Sequence, residues 1–203
     1  IITDDNNCSD SSIVNLFQPD SLISNLSITS SYNGYDLSCF GSLDASVNIA
    51  TNGGVSPYLY SLDSIYFSST SNYNNLGVGV FNLITRDNNN CVINSSITIN
   101  SPDELLANFD IIADPTCNGI NDGVLTSLTT GGTGIYSYDW SNSGSTTNII
   151  NSLSTGIYSV VISDNNGCSI SDSIELLPVF VLNSNTTTTQ VSCTGGSDGS
   201  ANV

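Results

Sequence analysis

The chain has 203 residues, a net charge of −17 at pH 7, a single Arg (Arg86), and no Lys, His or Met. A phosphate backbone needs Lys and Arg to neutralise it, so nucleic acid is excluded as a direct partner; without His or Lys a Ser-His-Asp triad cannot be assembled, and the chain is not read as an enzyme. Asn, Ser and Thr account for 82 residues by count, yet 38% of the chain is apolar and alternates with period two, which argues against disorder and for β-structure.

Taken in order, the chain repeats itself. It opens on Asp4-Asp5-Asn6-Asn7-Cys8, which reads as the tail of an earlier copy, so residues 1–19 are assigned to the end of a preceding repeat. Pro19, Pro102 and Pro178 follow Cys8, Cys91 and Cys168 by ten or eleven residues. Proline donates no strand hydrogen bond and holds its predecessor extended, so these mark boundaries. The expected organisation is 20–101 and 102–177 as complete repeats, with 178–203 as the start of another. The first motif shared by the repeats is Cys-x-Gly-x-x-Asp-Gly/Ala (Cys39 to Ala45, Cys117 to Gly123, Cys193 to Gly199). Gly53-Gly54-Val55-Ser56-Pro57-Tyr58-Leu59-Tyr60 then matches Gly131-Gly132-Thr133-Gly134-Ile135-Tyr136-Ser137-Tyr138, and Leu76-x-x-Gly79-x-Phe81 matches Leu153-x-x-Gly156-x-Tyr158. Both copies close alike, on Asp87-Asn88-Asn89-Asn90-Cys91 and Asp164-Asn165-Asn166-Gly167-Cys168.

Strand signals fill the intervals. Leu105, Ala107, Phe109 and Ile111 alternate with polar or outward residues; Tyr136, Tyr138 and Trp140 share one face; Tyr158, Val160 and Ile162 alternate with Ser159 and Val161. Asn166-Gly167 is a hairpin turn signal between strands at 157–162 and 168–176, with Asn89-Asn90 in the same place one repeat earlier. No window carries a helical stripe. Six or seven short strands per repeat predict an all-β chain of tandem Ig-like β-sandwich repeats of about 77 residues. No hydrophobic run approaches the roughly 18 residues of a membrane span, so no membrane insertion is expected in this stretch.

A domain this small buries a modest core, and a covalent staple is a common supplement. One reading of the cysteines pairs Cys39 with Cys91 and Cys117 with Cys168, one disulfide per repeat, leaving Cys8 and Cys193 to partners in the flanks. Free buried thiols are the other reading. A zinc site is poorly supported, with two Cys per repeat, no Cys-x-x-Cys and no His. Disulfides imply an oxidising compartment outside the cytoplasm.

The succession Cys-x-Gly-x-x-Asp-Gly, Gly-Gly-x-x-x-Tyr-x-Tyr-x-Trp, Leu-x-x-Gly-x-Tyr and Asp-x-x-Gly-Cys resembles the SprB repeat of very large surface proteins in gliding and related Bacteroidota. The copy from Cys117 to Cys168 matches nearly throughout; the copy before it has Leu62 for Trp140, Ala45 for Gly123 and Asn90 for Gly167. The resemblance implies export by the type IX secretion route, display on the outer cell surface, and service as the structural stalk of a long adhesin or filament, in some members moved along the cell during gliding. Implied partners are neighbouring repeats and the secretion and surface-anchoring machinery. The alternative is a carbohydrate-binding module array that attaches a cell or secreted enzyme to extracellular polysaccharide.

Candidate sites are few. Asp44, Asp122, Asp87 and Asp164 recur in register and are weak Ca²⁺ candidates, since hard cations want several oxygens. The competing reading makes them acceptors in Asx turns, which need one Asp and no metal, and no cofactor is otherwise expected. Tyr58, Tyr60, Tyr136, Tyr138 and Trp140 are read as core rather than as a sugar-stacking platform. Ser21, Ser64 and Ser173 stand in Asp-Ser-apolar triplets like the O-glycan acceptor of this bacterial phylum.

Overall fold

The computed structural model describes residues 1–141, 143–180 and 184–202. Among these, every regular element is a β-strand. The chain divides into two compact units, Ile1–Ser101 and Pro102–Val203. In the first, the hairpin of β1 (Ile2–Thr3) and β2 (Ser9–Asp10) precedes β3 (Ile23–Ile28), β4 (Ala45–Asn52), β5 (Leu59–Ser61), β6 (Asn72–Leu76), β7 (Gly79–Arg86) and β8 (Val92–Ile99). The second unit repeats the plan with β9 (Asp103–Ala113), β10 (Gly123–Gly132), β11 (Ser137–Trp140), β12 (Ile149–Leu153), β13 (Gly156–Ser163) and β14 (Ser169–Leu176), then the short pair β15 (Thr187–Thr189) and β16 (Ser200–Asn202).

The six main strands of each unit form two antiparallel three-stranded sheets, ordered β3-β4-β6 and β5-β7-β8 in the first and β12-β10-β9 and β11-β13-β14 in the second. The first, second and fourth strands of a repeat thus make one sheet and the third, fifth and sixth the other, as in an Ig-like sandwich. The pattern follows from the side chains. Val47 and Ile49 face inward from β4 while Ser46 and Asn48 lie on its opposite face, and Tyr158, Val160 and Ile162 do the same from β13.

Between the sheets of the second unit, Leu125, Trp140, Val160, Ile162 and Leu176 are fully buried, with Phe109 against Trp140 at 6.0 Å between ring centroids. Removing a side chain of Trp140's size from such a core costs about 3–5 kcal/mol. The first unit packs two smaller clusters, Leu37, Ala45, Val47 and Ile99, and Ile49, Tyr60 and Leu83, with half-buried Leu62 where the other unit has Trp140. Polar groups inside are paired. Thr85 and Ser24 hydroxyls join the two sheets at 3.0 Å, and no described buried side-chain N or O lacks a partner. The chain's one cation, Arg86, stacks its guanidinium 4.3 Å over the Phe67 ring.

Each unit has two poles. At the upstream pole of the first, the Asp20 carbonyl accepts from Gly54 N–H at 2.8 Å and Asp87 accepts from Val55 N–H at 2.9 Å, which gathers the start of β3, the end of β4 and the β7–β8 turn. At the downstream pole, Asn100 N–H donates to Asp36 at 2.7 Å and Ile99 packs with Leu37 and Ala45. In the second unit β9 begins beside Gly132, whose register partner is Asp103. Beyond β14, Val179 N–H donates to the Pro115 carbonyl at 2.9 Å. In both units, therefore, the chain arrives at one pole and departs from the opposite one.

Candidate functional site

The residues singled out by the repeat gather at these poles. Upstream, the hairpin Asp is the organising group. Asp164 accepts Asn166 and Cys168 N–H on one oxygen, both at 2.9 Å, and Thr133 N–H and hydroxyl on the other, at 2.9 and 3.0 Å. Asp87 repeats this with Asn89, Cys91 and Val55. Both are buried, at 7% and 3% exposure. Burial works to raise their pKa values. It is outweighed by the N–H groups of Thr133, Cys168 and Asn166 for Asp164, and of Val55, Cys91 and Asn89 for Asp87, so both carboxyls sit below the ordinary range.

Two glycines make this pole possible. A Cβ on Gly131 (φ +78°) would strike the Glu104 carbonyl, and one on Gly53 (φ +71°) the Ser21 carbonyl, so the second strand passes against the first without room for a side chain. Their carbonyls are taken by Tyr136 and Tyr58 hydroxyls, each at 2.7 Å. Gly53 lies in the bend just after β4, whereas Gly131 is within the last two residues of β10 itself.

Downstream, the Asp of Cys-x-Gly-x-x-Asp ties the loop to the residue before its Cys. Asp122 accepts Thr116 N–H and hydroxyl at 2.9 and 2.8 Å, Asp44 accepts Ser38 N–H at 3.2 Å, and Asp198 accepts Ser192 N–H at 3.0 Å. The Thr116 N–H and hydroxyl hold Asp122 below its usual pKa, and the Ser192 hydroxyl and N–H hold Asp198 there. These loop partners, Ser38, Thr116 and Ser192, were not singled out in the sequence, although a Ser or Thr six residues before each Asp is visible once the role is known.

The four Ca²⁺ candidates therefore separate: Asp87 and Asp164, at upstream poles, accept the N–H two residues on as Asx turns do, whereas Asp44 and Asp122, at downstream poles, accept the N–H of the residue six before them and close a longer loop. Among the described residues no three His, Cys, Asp or Glu side chains converge as around a metal ion. Tyr60 and Trp140 are buried, and Tyr58, Tyr136 and Tyr138 are half-buried against the core clusters. Their faces are used in packing. Ser21, Ser64 and Ser173 are exposed, the last in the middle of β14.

The cysteines require a correction. Bridges from Cys39 to Cys91 and from Cys117 to Cys168 are not formed: Cys91 and Cys117 are exposed free thiols, as are Cys8 and Cys193, while Cys39 and Cys168 are disulfide-bonded. The reason is the poles. Cys91 precedes Val92 at the upstream start of β8, and Cys39 lies three residues from Asp36 at its downstream end. An eight-residue strand is roughly 25 Å long at ~3.3 Å per residue, whereas a disulfide needs Cα atoms within about 7 Å. β14 separates Cys168 from Cys117 in the same way, since Cys117 bridges to Phe180 beyond its far end.

The family model of the SprB repeat matches the chain twice, at residues 32–65 and 110–145. No curated protein matches it. Among solved structures, the chain is similar to a C-terminal fragment of intimin in complex with the translocated intimin receptor intimin-binding domain, at 10% identity and a TM-score of 0.44, covering 83% of this chain and 66% of that one. It is similar also to three N-terminal domains of the bacteriophage RB49 outer capsid protein Hoc, at 15% identity and TM-score 0.40, over 83% and 62% of the two chains. Fibronectin(III)-like modules of Clostridium thermocellum CbhA follow at 14% identity and TM-score 0.28, over 76% and 94%. The chain thus spans under two-thirds of the length of the first two.

Proposed function

We propose that this chain, in which the SprB repeat occurs twice, is a load-bearing stretch of the stalk of a long secreted cell-surface adhesin or filament of the gliding-motility type, delivered by type IX secretion and displayed outside the cell. The coarser part of that reading, a non-catalytic repeat domain of cell-surface adhesin kind, rests on the family match.

The observation that supports the finer part is the pole-to-pole course of the chain in each unit. Tension applied through the backbone enters β3 at one pole and leaves β8 at the other. β3 is held to β4 by six consecutive register pairs and β8 to β7 by eight. Pulled along their length, these ladders load all their hydrogen bonds together in shear instead of opening one at a time. The Ser95 hydroxyl, on β8, donates to the Ser24 carbonyl on β3 at 3.2 Å and ties the two loaded strands to each other.

Pulling the 203-residue chain by its ends in reducing buffer tests this. The expected record has two discrete unfolding steps, each releasing roughly 270 Å at ~3.5 Å per extended residue. Gradual extension without steps sinks the stalk reading. Antibody raised against the chain should also label intact cells that produce it; labelling only after permeabilisation sinks the surface assignment. Among the described residues no exposed aromatic stripe supports the polysaccharide-binding alternative, and retention on a glycan array is the result that would revive it.

A further inference from the structure

The outer face of the β5-β7-β8 sheet carries side chains that the repeat itself does not require. Along β7, Leu83 and Thr85 are buried in the sandwich, and Asn82, Ile84 and Arg86 alternate with them on the outside. In register beside these three on β8 stand Ser96, Asn94 and Val92. The second unit lays its corresponding strands in the same register, and there the residues are Ser159, Val161 and Ser163 on β13 with Ser173, Ser171 and Ser169 on β14. Serine therefore suffices for the fold. Asn is depleted in strands, so Asn82 and Asn94 within β7 and β8 call for a different reason.

Asn82, Ile84, Asn94 and Ser96 line a groove of about 390 Å³, with Ser64 at its side. Ser64 belongs to the return after β5, which Asp63 fixes by accepting the Ile65 and Tyr66 N–H groups and the Ser61 hydroxyl, each at 2.9 Å. Arg86 continues the same face two residues beyond Ile84, its guanidinium seated 4.3 Å over Phe67 of that return. Two observations point to a ligand. The side chains of Ser64, Asn82, Asn94 and Ser96 have no hydrogen-bond partner among the described residues, so their donors and acceptors stand unused around the groove. Arg86, the one cation of a chain with 18 acidic residues, forms no ion pair with any described residue. Its neighbour Asp87 is engaged with the N–H groups of the β7–β8 turn and of Val55, and Asp63 with its own loop.

We propose that this face binds an acidic saccharide, with a ring carboxylate on the Arg86 guanidinium and sugar hydroxyls on Asn82, Asn94 and Ser96. A guanidinium offers paired N–H groups that match both oxygens of a carboxylate. A carboxamide offers an acceptor and a donor together, which suits a hydroxyl that both gives and takes. Ile84 between them supplies an apolar floor for the C–H face of a ring. From Asn82 to Arg86 the strand runs about 13 Å at ~3.3 Å per residue, enough for more than one linked ring. The net charge of −17 does not forbid an anion here: at physiological ionic strength charges beyond about 8 Å are screened, whereas Arg86 meets the carboxylate at contact. The site needs no aromatic stripe and belongs to the first unit alone, so it is not an array of modules. It goes beyond the stalk reading, because a rod bears load with the groove empty; either can fail alone.

The full chain is titrated by calorimetry with the linear trimer of galacturonic acid. Saturable binding is expected, weakened about tenfold or more in Arg86→Ser and in the double variant Asn82→Ser/Asn94→Ser. Both variants copy what the second unit carries at those places, and circular dichroism checks that they fold. Asn25→Ser, exposed on β3 of the other sheet, should bind as the unmutated chain does. Absence of saturable binding, or full binding by Arg86→Ser, overturns the proposal. So does equal binding of the methyl-esterified trimer, which keeps the hydroxyls and loses the carboxylates, or of acetyl-trialanine, which keeps a carboxylate and loses the hydroxyls. Should a variant misfold, the backbone amide resonances of the unmutated chain decide the matter: shifts on titration gathered in β7, β8 and residues 62–67 support the groove, and shifts gathered elsewhere refute it.

Discussion

Gly131→Ala, at the end of β10, and Gly134→Ala, in the bend that follows it, offer a matched pair three residues apart. Both glycines have left-handed backbone, φ +78° and +71°, so alanine pays the same conformational strain, about 1–2 kcal/mol. At Gly134 nothing lies within 4 Å of the added Cβ, and strain is the whole cost. At Gly131 the Cβ lands on the Glu104 backbone carbonyl, which cannot swing aside as a side chain would. Relief requires the start of β9 to shift, and giving up two ladder hydrogen bonds adds about 2 kcal/mol at ~1 each. The expected totals are about 1–2 and 3–4 kcal/mol, or melting-point drops of roughly 5–15 °C and 15–30 °C for a domain of this size. Trp140 is the chain's single tryptophan and is buried in the second unit, so its fluorescence reads that unit alone during a thermal or urea melt of the whole chain. Gly53→Ala serves as the control: it meets the Ser21 carbonyl in the first unit and should leave the tryptophan transition in place while lowering the circular-dichroism melt. Equal costs for Gly131→Ala and Gly134→Ala would refute the close approach as the reason for glycine there.

Three further outcomes follow from the poles and surfaces. Asp87 and Asp164 have folded pKa values below the unfolded value near ~3.9, so their contribution to stability is present above that value and lost as pH falls through the folded one. The urea midpoint read by Trp140 should fall steeply below about pH 4, and Asp164→Asn should lower it at pH 7 and flatten the acid limb; an unchanged acid limb contradicts the assignment. Because the Asp carboxylates already accept backbone N–H groups, chelator and millimolar Ca²⁺ should give the same melting temperature, and a rise with Ca²⁺ would restore the metal reading. If Ser21, Ser64 or Ser173 carries a glycan, the intact mass of the secreted protein exceeds the sequence mass in hexose-sized steps; a bare mass ends that idea.

Much of the fold was legible because each inward stripe is written locally. Tyr138 and Trp140 on one face of β11 with Tyr136 just before it, and Tyr158, Val160 and Ile162 on one face of β13, pack inward as their alternation implies. The recurring Asp-x-x-x-Cys gave the hairpin, and its Asp does what an Asx turn needs. The pole of each cysteine was not legible, for a topological reason. β5 and β6 both run downstream, each antiparallel to an upstream-running neighbour, and residues 62–71 carry the chain back between them with an isolated bridge from Ser68 to Tyr60 in place of a strand ladder. That return has no alternating signature, yet it decides whether Cys39 and Cys91 finish together or apart. Likewise the clash that demands Gly53 and Gly131 comes from a strand some thirty residues earlier, and no local pattern announces it.

The β13–β14 turn bears on how the protein ages. Asn-Gly is the dipeptide most prone to lose ammonia, because the glycine amide nitrogen attacks the Asn side chain to close a succinimide. At Asn166-Gly167 that nitrogen is engaged, donating to the Asp164 carbonyl at 3.1 Å, while Asn166 N–H is held by the Asp164 carboxylate. The nucleophile is thereby withheld for as long as the hairpin stays closed, so isoaspartate accumulating at position 166 would record time spent unfolded. This turn is in effect a chemical clock that the chain's own folding keeps stopped.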